Sequence, residues 1–370
     1  MQRVIVSVTN DLVTDQRVHK VCNTLIGMGF GIYLIGRKLP DSMPIERNYE
    51  TFRMKLLFNN GFMFYAEYNI RLFFKLFFLK KDVLLSNDLD TLLPNFLISK
   101  IFSKKLVYDS HELFTEVPEL IDRPRIQNTW LSIEKFIFPR LKNVYTVNAS
   151  IASIYKKKYN VDVEIIRNIA PLFHNKSLDI VLSKKVKGTK KMLILQGSGI
   201  NIDRGAEEAV TMMQYLENTV LYIIGSGDVF DKLKELVKTL KLEDKVFIKN
   251  RMSYQQLMEY TKISDLGLSL DKGTNLNYEY SLPNKAFDYI QAKTPLLVSN
   301  RKEIASLVLD NNIGLVVENL DPEKLAQVIK NLFIDQGLLK EWQENLVKAQ
   351  KRYNWEKESE KLKQVFLNLG

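Results

Sequence analysis

The chain has 370 residues, 46% of them hydrophobic and 26% charged, with a formal net charge of +10 and one cysteine, Cys22. That length predicts about two domains of roughly 100–200 residues each. One cysteine excludes an internal disulfide and a cysteine-rich metal site, and no apolar run reaches the ~20 residues that cross a bilayer. The positive balance favours anionic partners, either nucleotide phosphates or an acidic membrane surface. The lysine runs at 104–105, 156–158, 184–185 and 190–191 are scattered, and no aromatic RNA-binding motif accompanies them, which argues against nucleic acid.

Met1-Gln2-Arg3 leads straight into VIVSVTN, which reads as a first strand and not as a leader, so a cytoplasmic location is expected. Apolar β-branched runs then recur at Ile32–Ile35, Val83–Leu85, Leu106–Tyr108, Val144–Val147 and Val163–Ile166. They resume at Met192–Leu195, Val220–Ile224, Val246–Ile248, Leu266–Leu270, Leu296–Val298 and Gly314–Val317. Helical patterns lie between them, among them Val18–Gly27, Ile151–Tyr159, Ala206–Leu216 and Val229–Leu240. Such alternation predicts an α/β chain with parallel sheets covered by helices. The polar stretch from His174 to Lys190 is the expected linker, which divides the chain into domains 1–174 and 175–354.

Several strand-to-helix junctions carry chemistry. Asp15, Arg17 and Lys20 crowd the first, where Asp15 is a helix cap and Arg17 either solvates the first turn or meets an anion. Asn60–Asp82 is apolar with scattered cations: either a helix packed on its sheet, or a basic amphipathic helix dipping into an anionic leaflet. Asp88 and Asp90 in NDLDT read as cleft or capping residues and not as metal ligands. In VYDSHELFTEVPEL a strand ends at Tyr108, so Asp109, Ser110, His111 and Glu112 should project from its edge, with Glu116 following. In LQGSGINIDRG, Gly197, Ser198 and Gly199 let backbone approach a phosphate, and Arg204 offers a forked guanidinium. Gly225 and Arg251 stand in the next two loops.

The segment SLPNKAFDYIQAKTPLLVSN reads as turn, helix and buried strand. A helix start offers unpaired N–H groups to an anion. Asn284 opens this helix, Lys285 adds a full charge and Asp288 follows one turn later. The set suits a phosphate beside a ribose diol.

This segment resembles the nucleotide-sugar-binding part of the retaining GT-B glycosyltransferases of glycosyltransferase family four. In that group two glutamates, with seven residues between them, precede a small-x-x-Pro turn. Asp288 occupies the second acidic position here, while the first falls on Tyr280 with Glu279 one residue earlier. The resemblance implies two Rossmann-like doubly wound domains facing a cleft, with a C-terminal helix (355–370) crossing back to the first. It assigns donor binding to Gly197, Ser198, Gly199, Gly225, Arg251, Glu279, Tyr280, Asn284 and Asp288. It assigns catalysis to Arg204 and Lys285 at the leaving diphosphate and to His111 at the transferred sugar. It places Asp15, Arg17, Glu112 and Glu116 on the acceptor side.

The expected activity is therefore transfer of a hexose from a nucleotide-sugar to a hydroxyl of a glycan or lipid-linked acceptor, with retention, in polysaccharide assembly. No cofactor or metal is expected beyond the donor. An anionic membrane surface is a candidate partner, which would make the protein peripheral at the inner face of the membrane. A nucleotide-sugar epimerase on the same fold and a non-catalytic partner subunit are the alternatives. The lack of Gly-x-Gly-x-x-Gly after the first strand argues against a dehydrogenase.

Overall fold

The computed structural model describes residues 1–13, 15–40, 42–173 and 179–369. The chain divides into two compact units, one of Met1–Asn168 with Glu358–Gly370 and one of Ile169–Lys357.

In the first unit the strands are β1 (Arg3–Asp11), β2 (Gly31–Lys38), β3 (Glu50–Lys55), β4 (Val83–Asn87), β5 (Lys105–Ser110), β6 (Asn143–Thr146) and β7 (Glu164–Ile165). They pair in the order β3-β2-β1-β4-β5-β6-β7, and every pairing is parallel. Val4 aligns with Ile32 on one side and Val83 on the other, so β1 is central. All five residues of β4 are buried, as befits a strand covered on both faces. The chain winds outward from β1 to β3 and then restarts on the other side at β4. The order reverses between β1 and β4, and at such a switch point the strand ends open a crevice.

The second unit repeats the plan. Its strands are β8 (Lys191–Gly197), β9 (Thr219–Gly225), β10 (Val246–Asn250), β11 (Leu266–Ser269), β12 (Leu296–Ser299) and β13 (Gly314–Val317). The order is β10-β9-β8-β11-β12-β13, again all parallel, with the switch between β8 and β11.

Each apolar run read from sequence coincides with a strand, although Val147, Val163, Ile166 and Leu270 fall just outside β6, β7 and β11. β3 was not anticipated. ETFRMK has no apolar run because it is an edge strand whose residues, Met54 excepted, are exposed or half-exposed. β5 runs two residues past Tyr108, which draws Asp109 and Ser110 into the sheet, both fully buried. The start of the expected linker, 174–178, lies outside the described residues. After it, Ile180–Val186 is a helix capped by Asp179. The C-terminal helix Trp355–Leu367 contributes to the first unit from Glu358 onward. There Glu358 accepts the Arg167 amide at 2.8 Å, and Phe366 meets Phe30 edge to face at 5.8 Å.

Gln291, fully buried on the helix Asn284–Ala292, ties three segments of the second unit together. Its Oε1 accepts from the Phe173 amide at 3.0 Å, its Nε2 donates to Tyr353 O at 2.7 Å, and its carbonyl accepts from Gln350 at 2.9 Å. Gln291→Leu strands a buried donor and acceptor and should lower unfolding free energy by about 1–3 kcal/mol. Urea denaturation measures this, and an unchanged midpoint would show that the bonds add nothing net.

Candidate functional site

The site in the second unit grows from the two loops that flank its switch point. Gly205 has φ 74° and abuts Leu270, where a Cβ would stand 2.3 Å from the Leu270 carbonyl. That close approach sets Arg204, after β8, beside Asp271, after β11. Arg204 Nη1 lies 3.1 Å from Asp271 Oδ1, and the guanidinium stacks 4.0 Å from the Tyr278 ring centroid. Lys285, in the first turn of its helix, brings Nζ to 4.0 Å from Asp271 Oδ2. Asp271 is 2% exposed and is steadied by Ser269 Oγ at 3.2 Å and, through its carbonyl, by Ser299 Oγ at 2.6 Å.

One buried carboxylate thus faces two cations, leaving a local charge of +1. Burial pulls the Lys285 ammonium below its ordinary range, with Asp271 opposing and Arg204 reinforcing the shift. Burial also works against Arg204, but Asp271 and Tyr278 outweigh it and raise its pKa. Arg204 Nε is buried without a hydrogen-bond partner. Pro283 holds the cap position of the Lys285 helix and no side chain caps it. Uncompensated charge, an orphan donor and a bare helix start together suit a phosphate.

Three further loops adjoin. Gly225, at φ 147°, lies so close to β8 that a Cβ would meet the Gly197 carbonyl at 1.7 Å. The loop Gly197-Ser198-Gly199 is laced to the loop after β9: the Ser226 amide donates to Gly197 O at 3.2 Å and Ser226 Oγ to Ser198 O at 3.1 Å. Arg251 staples both, with Nε 2.6 Å from Ser226 Oγ and Nη2 2.9 Å from Ser198 O. The Arg251 guanidinium is thus engaged in holding the glycine loops.

Asp288 accepts from Gln196 Nε2 and from Tyr254 OH, each at 3.0 Å. Gln196 is in turn fixed by Thr261 at 2.6 Å. Glu279 forms an ion pair with Arg301, so the acid one residue early is already neutralised. Tyr280 lies under Lys302, 5.7 Å from ring centroid to Nζ. Asn284 is exposed at the helix start. Asp271 and Tyr254 escaped the sequence reading. An acid directly after an apolar strand was the available signal for Asp271. Tyr254 offered none, because its partner lies 34 residues on.

In the first unit, Asp15 is the helix cap expected from the sequence, whereas Arg17 differs from expectation. Asp15 caps the first helix through the Val18 amide at 3.0 Å. Arg17 does not face a ligand: it is 4% exposed and forms a two-pronged bond with Asp109, at 3.0 and 2.7 Å, while both terminal nitrogens reach Ile166 O at 3.1 Å. Asp109 does not project, because β5 continues through it. Burial opposes its charge, yet Arg17 and His111 bring its pKa down to about 2.

His111 follows the strand with Nδ1 3.0 Å from Asp88 Oδ2 and Nε2 3.2 Å from Asp109 Oδ2. Burial disfavours its charge, but the two carboxylates hold it well above the ordinary histidine range. The two carboxylates therefore favour the charged ring over the neutral one. Asp88 has φ 58° and ψ 168°, a conformation that costs on the order of 1–3 kcal/mol outside glycine. Its bonds to the His111 amide at 2.8 Å and to the ring offset that strain. Asp90 is buried, bonded to Thr9 Oγ1 at 2.5 Å, and its carboxyl is pushed up to about 7 by burial and by Asp88. Glu112 and Glu116 are partly exposed beyond the strand, and burial raises the Glu116 pKa. Among the described residues no group of three or more His, Cys, Asp or Glu side chains is arranged to hold a metal ion.

Two variants test these assignments. Asp271→Asn removes the counter-charge of two cations. It should lower stability by about 2–5 kcal/mol and make UDP or pyrophosphate stabilise the protein more than they stabilise the wild type. Equal thermal shifts in both proteins would remove Asp271 from the site. Asp90 binds a proton more tightly when folded (about 7) than when unfolded (ordinary value 3.8). Stability should therefore fall as pH rises through that window. Asp90→Asn should remove this slope in a urea series, matching wild type near pH 4 and exceeding it by up to a few kcal/mol at pH 8.

Comparisons with known proteins bear on the fold and on the second unit. Residues 180–349 match the family described as Glycosyl transferases group 1. The whole chain superimposes on sucrose-phosphate synthase from Thermosynechococcus elongatus with a TM-score of 0.82 at 16% identity, covering 100% of this chain and 99% of that one. A glycosyltransferase from Rickettsia africae gives 0.75 at 16% identity, with 100% and 98% covered. HepE from Anabaena, solved with UDP and glucose, gives 0.73 at 13% identity, with 99% of each chain covered. No curated protein matches the chain in sequence. These likenesses establish the GT-B fold for the full length, and the match of residues 180–349 to the group 1 glycosyl transferases indicates transfer of a sugar from a nucleotide-sugar donor.

Proposed function

We propose that the protein transfers a hexose, with retention of configuration, from a nucleoside diphosphate sugar to a hydroxyl of a glycan or lipid-linked acceptor, and that it works peripherally at the inner face of a membrane. The observation that carries the donor assignment is the convergence of Arg204 and Lys285 on one buried carboxylate at the switch point of the second sheet. When the bond to the sugar breaks, the departing diphosphate gains negative charge. Arg204, Lys285 and the amides at Asn284 stand ready to stabilise it without reorganising. Asp288 reads the ribose, whose hydroxyls take the place of the Tyr254 hydroxyl on the carboxylate. Gly197, Ser198, Gly199 and Gly225 form the backbone wall, which Arg251 holds in place. Tyr280 and Glu279, already engaged by Lys302 and Arg301, shape the turn before the helix. In the first unit, His111 is assigned to the transferred sugar as a fixed positive charge, and Glu112 and Glu116 to the acceptor. No cofactor or metal enters the scheme. The relative solved with UDP and glucose supports a UDP donor as the first to try.

A thermal-shift panel of UDP, GDP, ADP and their sugars identifies the base, because a ligand that binds only the folded state raises its stability. Arg204→Ala and Lys285→Ala should each weaken binding of the selected diphosphate by roughly 1.5–3 kcal/mol, measured by calorimetry. Unchanged affinity in both variants would sink the donor-site assignment. Product analysis with and without acceptor separates transfer from epimerisation.

A further inference from the structure

The helix Gly61–Phe78 buries Phe64, Tyr68, Leu72 and Leu76, spaced four apart on one face. A helix on a water-facing surface carries polar groups on its other side. Here that side is also apolar: Ile70, Phe74, Phe77 and Phe78 are exposed, Phe74 to 57% and Phe78 to 81%. The helix Leu89–Ile101 packs alongside and adds Leu97 and Ile101, also four apart and exposed, with Phe102 against Phe77 at 5.2 Å. Between the two helices lies a groove of about 300 Å³ formed mainly by Ile70, Phe73, Phe74, Leu93, Pro94 and Leu97. Soluble surfaces rarely leave so contiguous an apolar patch without a partner.

The surrounding charge selects the partner. Residues 61–105 contain seven Lys and Arg, namely Arg71, Lys75, Lys80, Lys81, Lys100, Lys104 and Lys105. They contain four acids, and two of those, Asp88 and Asp90, face His111 and Thr9. Of the other two, Glu67 pairs with Arg71 at 2.7 Å and Asp82 lies 3.8 Å from Lys104. Lys81 sits 3.8 Å from the Phe102 ring centroid, so positive charge adjoins the apolar face directly. A second copy meeting this face about a two-fold axis would set cations against cations. An anionic lipid surface complements both its charge and its apolar centre.

We propose that this face docks on an anionic phospholipid bilayer. Phe74, Phe77, Phe78 and Ile101 enter the boundary between headgroups and acyl chains, the groove takes up an acyl segment, and Lys80, Lys100, Lys104 and Lys105 meet the lipid phosphates. The inference rests on the membrane-side reading given under Proposed function and adds the contact surface and its lipid chemistry.

Co-sedimentation with phosphatidylglycerol/phosphatidylcholine vesicles and with pure phosphatidylcholine vesicles tests it. The wild type should partition to the anionic vesicles at least tenfold better than to the neutral ones. Phe74→Ser/Phe78→Ser should lose at least tenfold of that partitioning while keeping its melting temperature and its nucleoside diphosphate affinity. No sedimentation of the wild type, or full sedimentation of the double variant, overturns the proposal. A wild type that is dimeric in gel filtration and becomes monomeric in the double variant assigns the face to a second copy and also overturns it. Nucleotide affinity in the same preparations reports on the donor site independently, so failure of the lipid surface and failure of the transferase reading are distinguishable.

Discussion

Each unit depends on one buried aspartate that answers two cations. Asp109 holds Arg17 and His111 in the first, and Asp271 holds Arg204 and Lys285 in the second. Burying a lone carboxylate or a lone cation is prohibitive, whereas a hydrogen-bonded group of both signs is tolerated. The consequences differ with solvent access. Arg17 and Asp109 are sealed in, so their pairing anchors the first helix to β5 and to Ile166. Arg204 and Lys285 keep an orphan donor and an uncapped helix start beside them, so the same arrangement of charge is left open to an anion.

Topology supplies the location of the Asp271 cluster. In a parallel sheet wound outward from its centre in both directions, the loops that follow adjacent central strands diverge and leave room between them. Arg204 follows β8 and Asp271 follows β11, the neighbours at the reversal. Thr9 lies in β1 and bonds Asp90 just after β4, the corresponding pair in the other sheet. Close backbone approach then sharpens the fit. Glycine at 205 and 225 lets loops meet at distances no Cβ permits, and Arg251 turns two such loops into one wall.

The first unit also shows where apolar character exceeds what the core consumes. Phe64, Tyr68, Leu72 and Leu76 fill the core with one face of their helix. The aromatic residues on the opposite face add nothing to that packing and remain in water beside a groove and a set of lysines. Such contiguous apolar exposure suits a contact outside the chain.

Much of this was legible in the amino-acid order. Apolar β-branched runs punctuated by helical patterns determined two parallel α/β halves, because a strand covered on both faces must be apolar throughout. Glycine after a strand and Lys285 at a proline-led helix start were visible as candidate phosphate contacts, because those features are local. What the tertiary structure decided was which charges meet. Arg204 and Asp271 are 67 residues apart, and Arg17 and Asp109 are 92 apart. A charged side chain near a strand end reads the same in sequence whether it faces a ligand or a buried counter-ion. Two extra residues of β5 turned Asp109 inward, and with it Arg17, the residue that looked most like a ligand contact in the first loop. Register and burial settled that difference, and both arise only when distant strands align.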